Sequence, residues 1–144
     1  MQNTYNRLLL KKSNITILIL SPLIIGASIY IFFRETNLLI YSWLGISEEI
    51  ALIQNNKVNG LQLPDWVLYQ LPDGLWLFSF VILLGAICKT YHFNIYISSF
   101  AFFLAITLEF LQKKYLPGIF DRADIIAYII VLILIFILYK LFKL

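Results

Sequence analysis

Two short clusters of polar side chains interrupt a chain that is otherwise mostly apolar. Glu109 and Gln112 stand three residues apart near the end of one apolar run, so a helix there carries them on one face. Asp121 and Asp124 repeat that spacing at the start of the next run, flanked by Lys113 and Arg122. Asp73 opens an earlier apolar run, followed by Trp76 and Phe80. Polar groups at membrane depth are costly, and they tend to be kept where they serve function. Brought to one level, this set can bind a polar head group, a sugar, an amine, or a divalent cation through oxygen ligands. Acid–base chemistry at Glu109 is a weaker reading, because no nucleophile stands beside a matching base.

Each member also has a structural explanation. Glu109 and Lys113 can pair at i, i+4, with the lysine reaching outward. Asp121 as N-cap and Asp124 at the third helical position make a capping-box-like start after Pro117 and Gly118. Tyr128, one turn further on, either reaches the site or anchors the helix at the interface. Glu109 has the least adequate structural role and is the first residue to test.

The elements that must position these groups follow from composition. The chain has 144 residues, 61% hydrophobic and 13% charged, more apolar surface than a soluble domain of this length can bury. The expected class is an all-α membrane protein, a single domain over 1–144, with transmembrane helices at about 15–33, 73–88, 95–112 and 124–139. Positions 15–33 hold 19 residues without a charge. Such a run spans about 28 Å, the thickness of one hydrocarbon core. It reads as an uncleaved helix rather than a signal peptide, because it is too long and lacks a small-residue cleavage site.

The long connection at 34–73 contains Leu39, Trp43, Ile46, Ile50 and Ile53 on one helical face, with Asn37 available as a cap. Glu48 and Glu49 lie elsewhere on the wheel, so this amphipathic helix suits a lid on the bundle better than an anchor for anionic lipid. Asp65 and Asp73, each after a proline, suit helix N-caps, and Trp66, Tyr69 and Trp76 suit an interfacial belt. One cysteine, Cys88, gives no intrachain disulfide, and one histidine, His92, leaves no Cys/His metal cluster. No phosphate loop or extended basic patch is present, so no cofactor and no nucleic-acid partner is expected.

Four spans put both ends of the chain on one side. That side holds Arg7, Lys11, Lys12, Lys89, Lys140 and Lys143 and no acid, whereas the other holds all eight acids. The positive-inside rule then places both termini in the cytoplasm of a plasma (inner) membrane, and the 34–73 segment and the polar clusters on the outer side.

The polar motif resembles the VanZ-like family of small bacterial membrane proteins. The resemblance rests on Glu109-x-x-Gln112 closing one helix, a turn with Pro117, and Phe120-Asp121-x-x-Asp124-Ile125 opening the next. Asp73 with Trp76 and Phe80 fits the same pattern, and the match extends over roughly residues 70–135. The family usually carries an arginine before its Phe-Asp pair, where this chain has Ile119 and places Arg122 after. The resemblance implies a membrane-embedded acidic site open to the outer face. It also implies an association with the envelope, since named members are linked to resistance to teicoplanin-type glycopeptide antibiotics.

The expected function is binding of an envelope lipid, glycan or related polar ligand by Asp73, Glu109, Gln112, Lys113, Asp121, Arg122 and Asp124. The alternatives are a structural subunit of a larger membrane complex and an intramembrane enzyme acting on a lipid-linked substrate. Expected partners are membrane lipid and another membrane protein or a second copy of the chain.

Overall fold

The computed structural model describes residues 12–35, 39–55, 63–88, 94–112, 115 and 120–142. Among these the chain forms helices and no strand: α1 Lys12–Phe33, α2 Leu39–Leu44, α3 Ser47–Asn55, α4 Asp65–Leu68, α5 Gln70–Ile87, α6 Ile95–Gln112 and α7 Arg122–Phe142. Four candidate spans are long and apolar enough to cross a membrane: Asn14–Phe33, Asp65–Ile87, Ile95–Gln112 and Arg122–Leu141. The third matches the expected span, and α1, α5 and α7 each start a little earlier than expected. Asn94 sets the start of α6, its side-chain oxygen accepting the backbone N–H groups of Tyr96 and Ile97 at 3.0 and 3.3 Å.

Asp73 is not the cap of its helix. Tyr69 has α-helical dihedrals (φ −109°, ψ −53°), so α4 runs almost directly into α5 and no side-chain cap is used there. Pro72 then falls within the first turn, where a missing N–H is tolerated, and Asp73 follows it in that turn. Asp65 likewise lies inside α4, with Pro64 at the cap position.

Helix α5 is the hub, packing on α1, α4, α6 and α7. Its buried residues lie on two faces. Gly74, Leu77, Val81 and Gly85 follow one another at helical spacing, while Pro72 and Ser79 lie apart from that row. A methyl on Gly74 would sit 3.2 Å from Val131 Cγ2, so the glycine lets α7 approach closely. On the other side, Gly26 of α1 faces Pro72 at ordinary contact distance. The central core joins Leu77 and Val81 of α5, Ala101 and Ala105 of α6, and Tyr128 and Ile135 of α7. Small residues bring helices together where lipid offers no hydrophobic drive.

The long connection forms two helices where the apolar pattern suggests one. Gly45 at φ +68° ends α2 in a Schellman motif: Ile46 N–H donates to Tyr41 O at 3.0 Å and Gly45 N–H to Ser42 O at 3.3 Å. The break turns the projected face, so Ile50 is buried while Trp43 and Ile53 are exposed.

This pair latches onto the C-terminus of α1, where helical carbonyls lack partners. Tyr41 Oη donates to Tyr30 O at 2.7 Å. Gln54 Nε2 donates to Ile31 O at 2.9 Å and Arg34 O at 2.7 Å. Burial pushes the Tyr41 phenol up from the ordinary tyrosine range against the opposing pull of Arg34, so it stays a donor at neutral pH. Gln54→Ala removes two of these bonds, a loss of about 1–3 kcal/mol. Amide exchange across α3 in detergent micelles is expected to speed up about tenfold or more. Unchanged exchange would show that the latch contributes nothing.

Candidate functional site

The buried stripe of α6 explains why an acid is carried inside the bundle. Ser98, Ala101, Ala105 and Glu109 fall at i, i+3, i+7 and i+11, the inward face of the helix. Three small residues seat that face closely, and the fourth position delivers Glu109, only 3% exposed. One end of the bundle thereby gathers the end of α6, the start of α5 and the start of α7.

At this junction the carboxylates divide the work. Glu109 Oε1 accepts the backbone N–H of Asp121 at 2.9 Å. Asp121 Oδ1 accepts the N–H of Ala123 at 2.9 Å, the bond of an N-cap to the second helical residue. Asp121 Oδ2 accepts Gln70 Nε2 at 2.9 Å, tying α7 to the first residue of α5. The rings of Phe110 and Phe120 pack at 5.3 Å across the same joint.

In a capping box the acid at the third helical position reaches back to the N–H of the cap. Asp124 holds that position, but Glu109, from the preceding helix, has taken the N–H. Asp124 is therefore released from capping. It is 7% exposed, and its Oδ1 is buried with no hydrogen-bond partner among the described residues. An acceptor left in that state costs about 1–3 kcal/mol, more if charged.

Around Asp124 the field is acidic. Asp73, Glu109 and Asp121 all lie within electrostatic range of it, and Gln70 neighbours its carboxylate. Buried Tyr128 interacts with Asp73, Glu109, Asp124 and Tyr30. The cation beside Asp73 is Arg34. Its guanidinium sits over two aromatic rings, 4.5 Å from the centroid of Tyr30 and 4.8 Å from that of Tyr69. Among the described residues, no three or more His, Cys, Asp or Glu are placed to hold a metal ion.

The structure thus brings together Asp73, Glu109, Asp121 and Asp124. Gln112 is half-buried at the last position of α6, and Arg122 is exposed at the first position of α7. Lys113, with Pro117 and Gly118 of the turn, lies outside the described residues, as does His92. Sequence reasoning missed Gln70, Arg34 and Tyr30. The first two had no apolar pattern to mark them, and Tyr30 lies within a run that reads as lipid-facing throughout. The stripe at 98, 101 and 105 was the available signal for the burial of Glu109. No protein-family model, curated protein or solved structure matches the chain.

Truncation should separate the structural role of Glu109 from its charge. Glu109→Ala leaves the Asp121 N–H without its acceptor and is expected to cost about 1–3 kcal/mol. Glu109→Gln keeps an oxygen at that place and should retain most of this stability. Thermal unfolding in detergent checks the order of the two. Equal losses would mean that the bond between Glu109 and Asp121 does not hold the joint.

Proposed function

We propose that this chain is a VanZ-like multi-pass protein of the bacterial plasma (inner) membrane, with both termini cytoplasmic. Its acidic junction opens to the outer face and binds a polar ligand of the envelope, a lipid head group or a glycan. The observation that supports this best is Asp124. A carboxylate released from capping, buried, and with one oxygen lacking a partner among the described residues, in the field of Asp73 and Glu109, is costly to the fold. Such groups are kept in membranes where they bind or transport something. The charge asymmetry along the sequence supports the orientation, since the acids collect at the end of the bundle opposite the basic termini. The α2–α3 pair is then an outer lid, with exposed Trp43 and Leu44 available to the interface. An accessory role at the envelope follows, including a place in antibiotic resistance.

Two measurements test this. A phosphatase fused at Asn59 should be active and one fused at Leu144 inactive, and the reverse pattern would overturn the orientation. Native mass spectrometry of the protein extracted from its own membrane should show a bound envelope component. Asp124→Asn should lose that component while the variant still inserts and elutes as a folded species. Retention of the same mass by the variant would remove Asp124 from the site.

A further inference from the structure

The chemistry of the junction narrows what it can accept. Four carboxylates converge, and the groups around them are mostly spoken for. Both oxygens of Asp121 and Oε1 of Glu109 already accept N–H bonds. Asp124 Oδ1 is buried and, among the described residues, without a hydrogen-bond partner, with Asp73 and the Tyr128 hydroxyl within electrostatic range. An anionic ligand meets repulsion from every acid, and the guanidinium of Arg34 is stacked between two tyrosine rings. A neutral hydroxyl supplies one donor and adds no positive charge to the acidic field around Asp124. A hard divalent cation needs six or more oxygens for Ca²⁺, or near-ideal octahedral geometry for Mg²⁺. Among the described residues no such grouping of ligands occurs. A quaternary ammonium carries the charge but has no N–H for Asp124 Oδ1.

Resting on the reading of this junction as a ligand site, we propose that its occupant presents a primary ammonium group, which donates to Asp124 Oδ1 and lies beside Asp73. An ammonium has three donors and no acceptor, matching an acceptor-rich junction, and its bonds to carboxylates are charge-assisted. The adjoining Tyr30 and Tyr69 rings, which already hold the guanidinium of Arg34, show that this end of the bundle accommodates a cation against aromatic faces. The ammonium can belong to a phospholipid head group or to a soluble amine such as an amino sugar.

The test uses the full chain in detergent and two matched pairs of probes. Glucosamine against glucose, by thermophoresis, forms the soluble arm. An ethanolamine-headed phospholipid against its choline-headed counterpart with the same acyl chains, by native mass spectrometry, forms the lipid arm. The ammonium member of at least one pair is expected to bind ten times or more tighter than its counterpart. The arm that shows the preference identifies the source. Asp124→Asn should abolish the preference, and Asp65→Asn, an exposed acid at the start of α4, should leave it intact. The wild-type comparison stands on its own if the Asp124 variant fails to fold. Equal binding within both pairs overturns the proposal, as does a preference that survives in folded Asp124→Asn. If the pairs bind equally while a native ligand still depends on Asp124, only the ammonium assignment falls. If the native ligand is also indifferent to Asp124, the site itself falls.

Discussion

The hydrogen bond from the Asp121 N–H to Glu109 Oε1 is the constraint around which this end of the molecule is arranged. It spans the joint between α6 and α7, and it satisfies a backbone donor that no helical carbonyl can reach. Glu109 does this from another helix, while Asp121 gives one oxygen to its own helix and the other to Gln70 of α5. Three helices are therefore fixed together by two acids. The third acid, Asp124, is left with nothing to cap. A buried carboxylate in that position is the consequence of a satisfied junction.

Backbone packing makes this possible. Gly74 lets Val131 come close to α5, and the small stripe of α6 lets Glu109 reach inward with its helix. Both devices shorten distances between helices, and short distances are what bring four carboxylates into one field. Larger residues at 74, 101 or 105 would separate the helices by the width of a side chain.

Much of the architecture was legible because apolar runs in a membrane protein leave little choice of structure: backbone groups in lipid must be satisfied within a helix. The α6 span was expected with the bounds that the structure gives it. Placing helix ends at one level put Asp73, Glu109, Asp121 and Asp124 near one another, and the structure has the other three within electrostatic range of Asp124. The misses were tertiary. Asp73 looked like a cap because Pro72 looked like a boundary, yet α4 continues into α5 and the proline sits harmlessly in a first turn. The lid looked like one helix because apolar period outweighed Gly45, whose positive φ breaks it in two. Arg34 and Gln70 were invisible because a polar residue in a connection has no period to read. The capping box was half right: Asp121 caps, and the reciprocal bond comes from a residue twelve positions earlier.

The α2–α3 pair and the acidic junction meet at Arg34. Its carbonyl accepts Gln54 of α3, its N–H donates to Tyr30 O, and its guanidinium lies over Tyr30 and Tyr69 beside Asp73. Tyr30 O in turn accepts the Tyr41 hydroxyl of α2. The backbone of Arg34 thus meets α3 while its side chain meets the rings beside the acidic junction. A positive charge beside Asp73 belongs to a residue that α3 also contacts. That charge rests over tyrosine rings, and Asp124 Oδ1 has no hydrogen-bond partner among the described residues. The electrostatic balance of the junction therefore includes a charge from a segment that contributes no carboxylate to it.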